Sequence, residues 1–405
     1  MSPSTLKDSE PENLMTECVR CGSCKAVCPT YAEDASEGMS ARGRVVLMEK
    51  FRCGELSPSK KLEDALFSCV LCGACNKLCP LGVSVTDAIY DARVRLSESN
   101  KKRRFLNFIA KVGFKRTSEA FKILKFIETM GEILPIFKVK PFKTIRTMGL
   151  RFPDAALKDG MSIFKVSRPK GRIAVFAGCA ANFIYPGTAT ALIESLNAMN
   201  YEVVLPKGEV CCGAPLMGLG LKEDAAEMAD RNVKNFKKLN VEAVIGLCPT
   251  CVHFIKNEYK KLVGESIDIA MEISQFLSSE LVSSKLKAPQ TGLRKNSKLR
   301  VVYHDPCHSL YNLNIRPEPR EILRSIGFNV VDSSGGCCGF GGAFRLLYQG
   351  LSEGILEQRI EDYKNADVIV TSCPNCVLQL RSKIKDKPVR HIAEVIREAM
   401  KGDRR

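Results

Sequence analysis

Eighteen of the nineteen cysteines in this 405-residue chain fall into two patterns, each used twice. Cys18, Cys21, Cys24 and Cys28, closed by Pro29, read C-x2-C-x2-C-x3-C-P, and Cys69, Cys72, Cys75 and Cys79, closed by Pro80, repeat that spacing. Farther along, Cys179, the adjacent Cys211 and Cys212, and the pair Cys248 and Cys251 form a group of five. Cys307, Cys337 with Cys338, and Cys373 with Cys376 form a second such group, which leaves only Cys53 outside. Thiols at fixed spacing restrict the chain to folds that gather them around metal, because soft thiolates select iron–sulfur clusters, zinc or copper(I).

The first pattern is that of two-cluster ferredoxins, in which the fourth cysteine of each run serves the other cluster. The spacing therefore predicts one [4Fe–4S] cubane on Cys18, Cys21, Cys24 and Cys79, and another on Cys69, Cys72, Cys75 and Cys28. Pro29 and Pro80 end each wrap, since proline lacks an N–H and restricts the residue before it. Zinc knuckles are the competing assignment, because C-x2-C pairs also hold zinc. Disulfides fit poorly with a start, MSPSTLKDSE, that carries no apolar leader.

The two groups of five expose an internal repeat. Their offsets are 128 residues from Cys179 to Cys307, 126 from Cys211 to Cys337 and 125 from Cys248 to Cys373. Apolar runs at Arg172–Ala177 and Leu299–Tyr303 lead to each first cysteine. Val203–Leu205 and Asn329–Val331 precede each CCG, and Val244–Leu247 and Val368–Thr371 deliver CPTC and CPNC. With helical stretches such as Lys222–Leu239 and Leu351–Lys364 between them, these runs predict a small parallel sheet per copy, cysteines at the strand C-terminal ends. Gly213 and Gly339 suit a positive φ or a close backbone approach. Pro249 and Pro374 suit helix starts whose positive ends face the thiolates.

Charge is uneven. Residues 1–100 hold 12 Lys/Arg against 14 Asp/Glu, residues 101–170 hold 18 against 5, and the remainder 31 against 26. The basic segment interleaves Phe105, Phe108, Ile109 and Val112, then Phe121, Leu124, Ile127 and Leu134, at helical spacing. One or two amphipathic helices are expected, laid on an anionic membrane face or packed against protein. No nucleic-acid motif accompanies the charge, so nucleic acid is not expected as a partner. Ile173–Ile193 is free of charge, but Gly178, Pro186 and Gly187 read as strand, turn and helix start, so no membrane span is expected.

The expected architecture is mixed. An α-helical two-cluster ferredoxin-type head (1–100) and a basic amphipathic helical linker (101–170) precede two repeated α/β cysteine-rich modules (171–284 and 285–405). CVRCGSCKAVCPTY, YHDPCHSLY with RPEPREILRSIG, and VTSCPNCVLQL resemble the iron–sulfur subunit of glycolate oxidase over nearly the whole chain. The groups of five resemble the CCG cysteine-rich domain. That family includes the catalytic subunit of heterodisulfide reductase and iron–sulfur subunits of glycolate, lactate and anaerobic glycerol-3-phosphate dehydrogenases.

The resemblance implies one or two noncubane [4Fe–4S] clusters, held by Cys179, Cys211, Cys212, Cys248 and Cys251 and by Cys307, Cys337, Cys338, Cys373 and Cys376. Zinc or an ordinary cubane in each module is the alternative. It also implies an oxidoreductase subunit, peripheral at most on the inner face of a membrane, that takes electrons from an FAD-containing dehydrogenase acting on a 2-hydroxy acid. Electrons would pass to a quinone or another carrier, through a quinone-reducing membrane subunit or directly. The chain shows no dinucleotide fingerprint, so alone it is not expected to oxidise a hydroxy acid. Complete groups of five resemble heterodisulfide reductase more closely, and disulfide reduction is the second reading. No side chain is assigned a catalytic role. His304 and His308 flank Cys307 and are expected to tune a metal site. Cys53, on a helical stretch, is expected to be buried as a small hydrophobe.

Overall fold

The computed structural model describes residues 17–97, 99, 101–130, 150–157, 162–284 and 299–401. Leu134 and most of the segment around it lie outside that range. In the head, short turns around the cysteines alternate with helices at Ala41–Arg52, Lys60–Phe67 and Val85–Leu96. Met48, Leu66, Ile89 and Leu96 close their shared core. Ser40 caps the first of these helices by accepting a hydrogen bond from the Gly43 N–H, and Ser59 caps the second through Leu62. Pro29 does end the first cysteine wrap, and it also opens a helix over Pro29–Glu33 with Cys28 at the N-cap.

Two sheets follow. The first contains β1 (Ser162–Phe164), β2 (Gly171–Phe176), β3 (Tyr201–Leu205), β4 (Ala243–Gly246) and β5 (Ala270–Glu272), in the order β1-β3-β2-β4-β5. Its last four strands pair in parallel, and β1 adds an antiparallel edge, Ile163 facing Val204. The second contains β6 (Arg300–Tyr303), β7 (Asn329–Val331), β8 (Val368–Thr371) and β9 (Val389–His391), in the order β7-β6-β8-β9, all parallel. Small parallel sheets are thus present in both copies, each with a fourth parallel strand (β5 or β9) that sequence reasoning missed, as it missed the antiparallel β1. The charge-free stretch is a strand followed by helices at Gly178–Phe183 and Pro186–Ala198.

The modules pack with the symmetry of a repeat. The first long helix of one copy lies against the last helix of the other: Pro186–Ala198 on Ile392–Lys401, and Pro317–Ser325 on Ile273–Ser284. One apolar core runs through the seam, from Ile173, Val203 and Ile245 to Val301, Val370 and Ile392. Burying two half-cores against each other turns the C-terminal strand edges of both sheets toward one region, and that is where the cysteines stand. The head docks on both copies. Arg93, buried, donates to Gly218 O at 2.8 Å in the first, and Lys77 donates to Asn314 Oδ1 at 2.6 Å in the second.

A candidate iron–sulfur site

In the head, one cavity is lined by Cys18, Cys21, Cys24 and Cys79, with Cys75 at its inner wall. A second is lined by Cys28, Cys69, Cys72 and Cys75. The fourth cysteine of each run thus stands with the first three of the other. Gly22 and Gly73, both at positive φ, turn the backbone sharply between ligands. Arg44, with 1 % of its surface exposed, spans the second cavity's back: its guanidinium donates to Ala65 O, Thr30 and Ser68, and lies 3.9 Å from Cys28 Sγ. The first cavity opens outward at Cys21, which is exposed and whose pKa is lowered by a hydrogen bond to Ser23.

The groups of five are built differently. Cys211, Cys212, Cys248 and Cys251 are buried, as are Cys337, Cys338, Cys373 and Cys376, whereas Cys179 and Cys307 are half-buried. Each Cys-Pro sits where a parallel strand hands over to a helix: Cys248 caps Pro249–His253 and Cys373 caps Pro374–Lys383. Gly213 and Gly339 do have positive φ, 92° and 82°. What they approach is helix backbone: a Cβ would meet Ala225 O at 3.1 Å and Ser352 O at 2.6 Å.

Within each copy the thiols interact in series. Cys179 meets Cys211, Cys211 meets Cys212, Cys212 meets Cys251 and Cys251 meets Cys248. In the second copy Cys307, Cys337, Cys338, Cys376 and Cys373 do the same, with Cys338 Sγ 3.4 Å from Cys376 Sγ. The two series join, because Cys248 and Cys373 also interact across the seam. Hydrogen bonds from Cys211 and Cys251 hold the Cys212 thiol down at about 6, and those from Cys337 and Cys376 hold Cys338 well below its usual value. Accepting thiolate neighbours and burial push Cys179, Cys251, Cys307, Cys373 and Cys376 up. Crowded, dry thiols of this kind can all ionise only around cationic metal, so the donor set fits iron–sulfur clusters.

The head and the second copy meet at the thiols. Cys72 packs in one apolar cluster with Cys337 and Phe344, beside Cys307 and Tyr311. Burial, then the neighbouring Cys337 and Cys307, push the Cys72 thiol well up.

The two histidines flanking Cys307 do reach the thiols. His308 Nδ1 is 3.5 Å from Cys307 Sγ and 3.2 Å from Thr250 Oγ1 of the other copy. His304 hydrogen-bonds Tyr363 through Nδ1 at 2.6 Å, and its ring lies with Cys338 and Cys376 in a group whose ligand atoms are within 4.8 Å of one another. Its Nε2 is buried without a hydrogen-bond partner among the described residues. Burial holds His304 at about 4, so its ring is neutral. Cys53 contradicts expectation: it is exposed at the C-cap of Ala41–Arg52, where the helix has already ended and no core remains to cover it. Sequence reasoning also missed two π-helical turns, Phe254–Glu258 and His308–Asn312, that follow a cysteine at the seam. Such turns cluster at functional sites, but no residue type signals them.

Comparison with known proteins agrees with this geometry. Residues 14–83 match the 4Fe-4S dicluster domain, and residues 173–256 and 301–381 each match the Cysteine-rich domain. The chain is 28 % identical to the probable glycolate oxidase iron-sulfur subunit of Bacillus subtilis, covering 97 % of this chain and 96 % of that protein. It is 24 % identical to the glycolate oxidase iron-sulfur subunit of Escherichia coli, with the same coverage of 97 % and 96 %. It is 27 % identical to one subunit of the dihydromethanophenazine:CoB–CoM heterodisulfide reductase of Methanosarcina barkeri, covering 95 % of this chain and 93 % of that one. The chain therefore joins a 4Fe-4S dicluster domain to two cysteine-rich domains, and over most of its length it is a homologue of glycolate oxidase iron-sulfur subunits and of this heterodisulfide reductase component.

Proposed function

We propose that this chain is the electron-transfer subunit of a flavin-dependent 2-hydroxyacid dehydrogenase complex of the glycolate or lactate type. An FAD-containing partner would oxidise the substrate, and a quinone or another carrier would take the electrons. Bound iron–sulfur clusters supply one-electron transfer in such a subunit. The protein's own residues hold and shield them. The exposed Cys21 end of the head gives a partner access, while the buried groups of five keep water from the inner sites. The observation that carries the reading is continuity: thiol sets follow one another from Cys21, through the second head cavity, to Cys72 beside Cys307 and Cys337.

A second reading, disulfide reduction by the chain itself, is favoured by one specific feature. Both groups of five are complete and meet at Cys248 and Cys373. One experiment separates the two. Anaerobically purified protein should contain about sixteen irons. Reduced by a low-potential dye and offered small disulfides, it should show no turnover, and 2-hydroxyacid oxidation should appear only with a flavoprotein added. Rapid disulfide turnover by the isolated chain would replace the first reading with the second. Iron near eight with two zincs would restrict the clusters to the head.

A further inference from the structure

The helices Lys101–Lys115 and Thr117–Met130 are apolar on two sides, and only one side faces protein. In the first, Arg103 and Asn107 are buried and Ala110 and Phe114 pack on the first cysteine-rich module. On the opposite side, at spacings of three, four and seven, stand Phe105, Phe108, Ile109 and Val112, exposed at 63, 64, 52 and 45 %. In the second, Phe121 is buried against Phe152 and Phe183, while Ile123 and Phe126 are exposed at 59 and 64 %. Among the described residues, six of the thirteen exposed large apolar side chains, and all three exposed phenylalanines, lie on these thirty residues. Folding does not require that outer stripe, because the inner one already docks the helices.

The charge around the stripe is predominantly basic. Residues 101–130 carry nine Lys/Arg and two Asp/Glu. Lys111 and Lys115 reach inward to Asp224, which fixes the helix on the module. Arg104 and Lys122 are exposed beside the apolar side chains. Glu119, the one acid on the outer side of the second helix, pairs with Arg116 at 3.7 Å. No described helix is long and apolar enough to cross a membrane, so attachment by these helices would be interfacial.

We propose that this outer face docks on the surface of an anionic lipid bilayer. Phenylalanine and isoleucine side chains enter the headgroup boundary while arginine and lysine pair with lipid phosphates. A protein partner would also accept apolar side chains, but the basic balance of the whole segment, nine Lys/Arg against two Asp/Glu, matches a uniformly anionic surface. The inference goes beyond the proposed function and does not depend on it, since lipid binding requires no electron transfer.

Vesicle flotation of the full, iron-loaded chain tests it. Binding is expected to vesicles of phosphatidylcholine with 30 % phosphatidylglycerol in low salt, to fall steeply as salt screens the surface charge, and to be absent on phosphatidylcholine alone. The double variant Phe108→Glu/Ile109→Glu should abolish binding, with iron content and circular dichroism unchanged because both side chains are already in solvent. Replacing Arg104 and Lys122 by glutamine should weaken partition about five-fold per charge removed. Failure of the wild-type chain to float with anionic vesicles, or equal binding to neutral ones, would overturn the proposal. So would an F108E/I109E variant that binds normally. Loss of flavoprotein-dependent oxidation with vesicle binding intact would count against the functional reading alone.

Discussion

The two cysteine-rich modules share a topology, a set of five thiols and a seam, yet the ground beneath their first cysteines is different. Aligned on Cys179 and Cys307, Phe-Ala-Gly-Cys-Ala in the first stands against His-Asp-Pro-Cys-His in the second. Phe176 lies in apolar packing against Phe236, their ring centroids 5.6 Å apart. His304, at the equivalent place, brings a polar ring to Cys338 and Cys376. Ala177 corresponds to Asp305, which accepts two hydrogen bonds from the Arg320 guanidinium at 2.8 and 2.7 Å. A duplicated fold has thus been given one apolar and one polar site. The polar copy is also the one that Cys72 of the head adjoins.

The largest effect that should break this comparison is on stability. Arg320 and Asp305 are nearly fully buried, with side-chain exposures of 6 and 1 %. Asp305→Ala would leave a buried guanidinium without its main partner, at a cost of about 4 kcal/mol in guanidinium unfolding. The double variant Asp305→Ala/Arg320→Leu, which gives the second module an apolar pair in place of the ionic one, should recover most of that loss. If the double variant is as unstable as the single one, the polar pair is not an interchangeable alternative to apolar packing and the comparison fails.

A smaller effect sits at the seam, where the two copies again differ at one position. Glu272 ends β5 and His391 ends β9, and each reaches the strand end before the other copy's Cys-Pro. Glu272 lies close to Ser372 and its Oε2 accepts from the Ser274 N–H at 2.7 Å, and His391 Nε2 lies 3.1 Å from Leu247 O. Burial raises Glu272 to about 7 despite the hydrogen bond from the Ser274 N–H, and burial lowers His391. A carboxyl raised in the folded state is uncharged there over a range where the unfolded chain has already ionised. Its contribution is therefore complete below the usual carboxylate range and lost as pH rises through about 7. Between pH 5.5 and 8 the wild-type chain should lose about 2 kcal/mol that Glu272→Gln does not lose. Parallel pH profiles for the two proteins would show that Glu272 is not the titrating group.

Much of this was legible in the residues, for a chemical reason. Cysteines that bind one metal must meet, so their spacing reports three-dimensional proximity as ordinary core residues do not. The strands delivering them followed from the repeat. The fourth strands did not, because Ala270–Glu272 and Val389–His391 are three residues long and mix polar with apolar, too little for a period to show. The meeting of Cys248 with Cys373, and of Cys72 with Cys337, was equally hidden: spacing speaks within a run and is silent between modules. The periodicity of 101–130 did reveal amphipathic helices. It could not say which of two apolar sides would be covered, since both recur at three and four.

The finest test of the comparison concerns redox tuning by His304. Its Nδ1 faces the Tyr363 hydroxyl, its Nε2 is unpartnered among the described residues, and its ring shares a group with the Cys338 and Cys376 thiols. A neutral imidazole so placed can act in one of two ways. It can donate an N–H hydrogen bond toward sulfur, which stabilises the reduced, more negative state of a bound cluster, or it can offer its lone pair to metal. The Phe176 site in the first copy shows that the fold accepts an aromatic hydrocarbon at this place, buried to 1 % exposure. His304→Phe should therefore fold and keep its iron if the ring only donates. Losing one hydrogen bond of about 1 kcal/mol would then lower the potential of one cluster by roughly 40 mV for a single electron. The reciprocal Phe176→His should raise the other by a similar amount or less, because the new ring would lack the tyrosine hydroxyl that orients His304. Redox titration followed by electron paramagnetic resonance reads both. Loss of four irons in His304→Phe would make His304 a ligand, and an unchanged potential with full iron would remove the histidine from redox tuning and leave only its packing to distinguish the two modules.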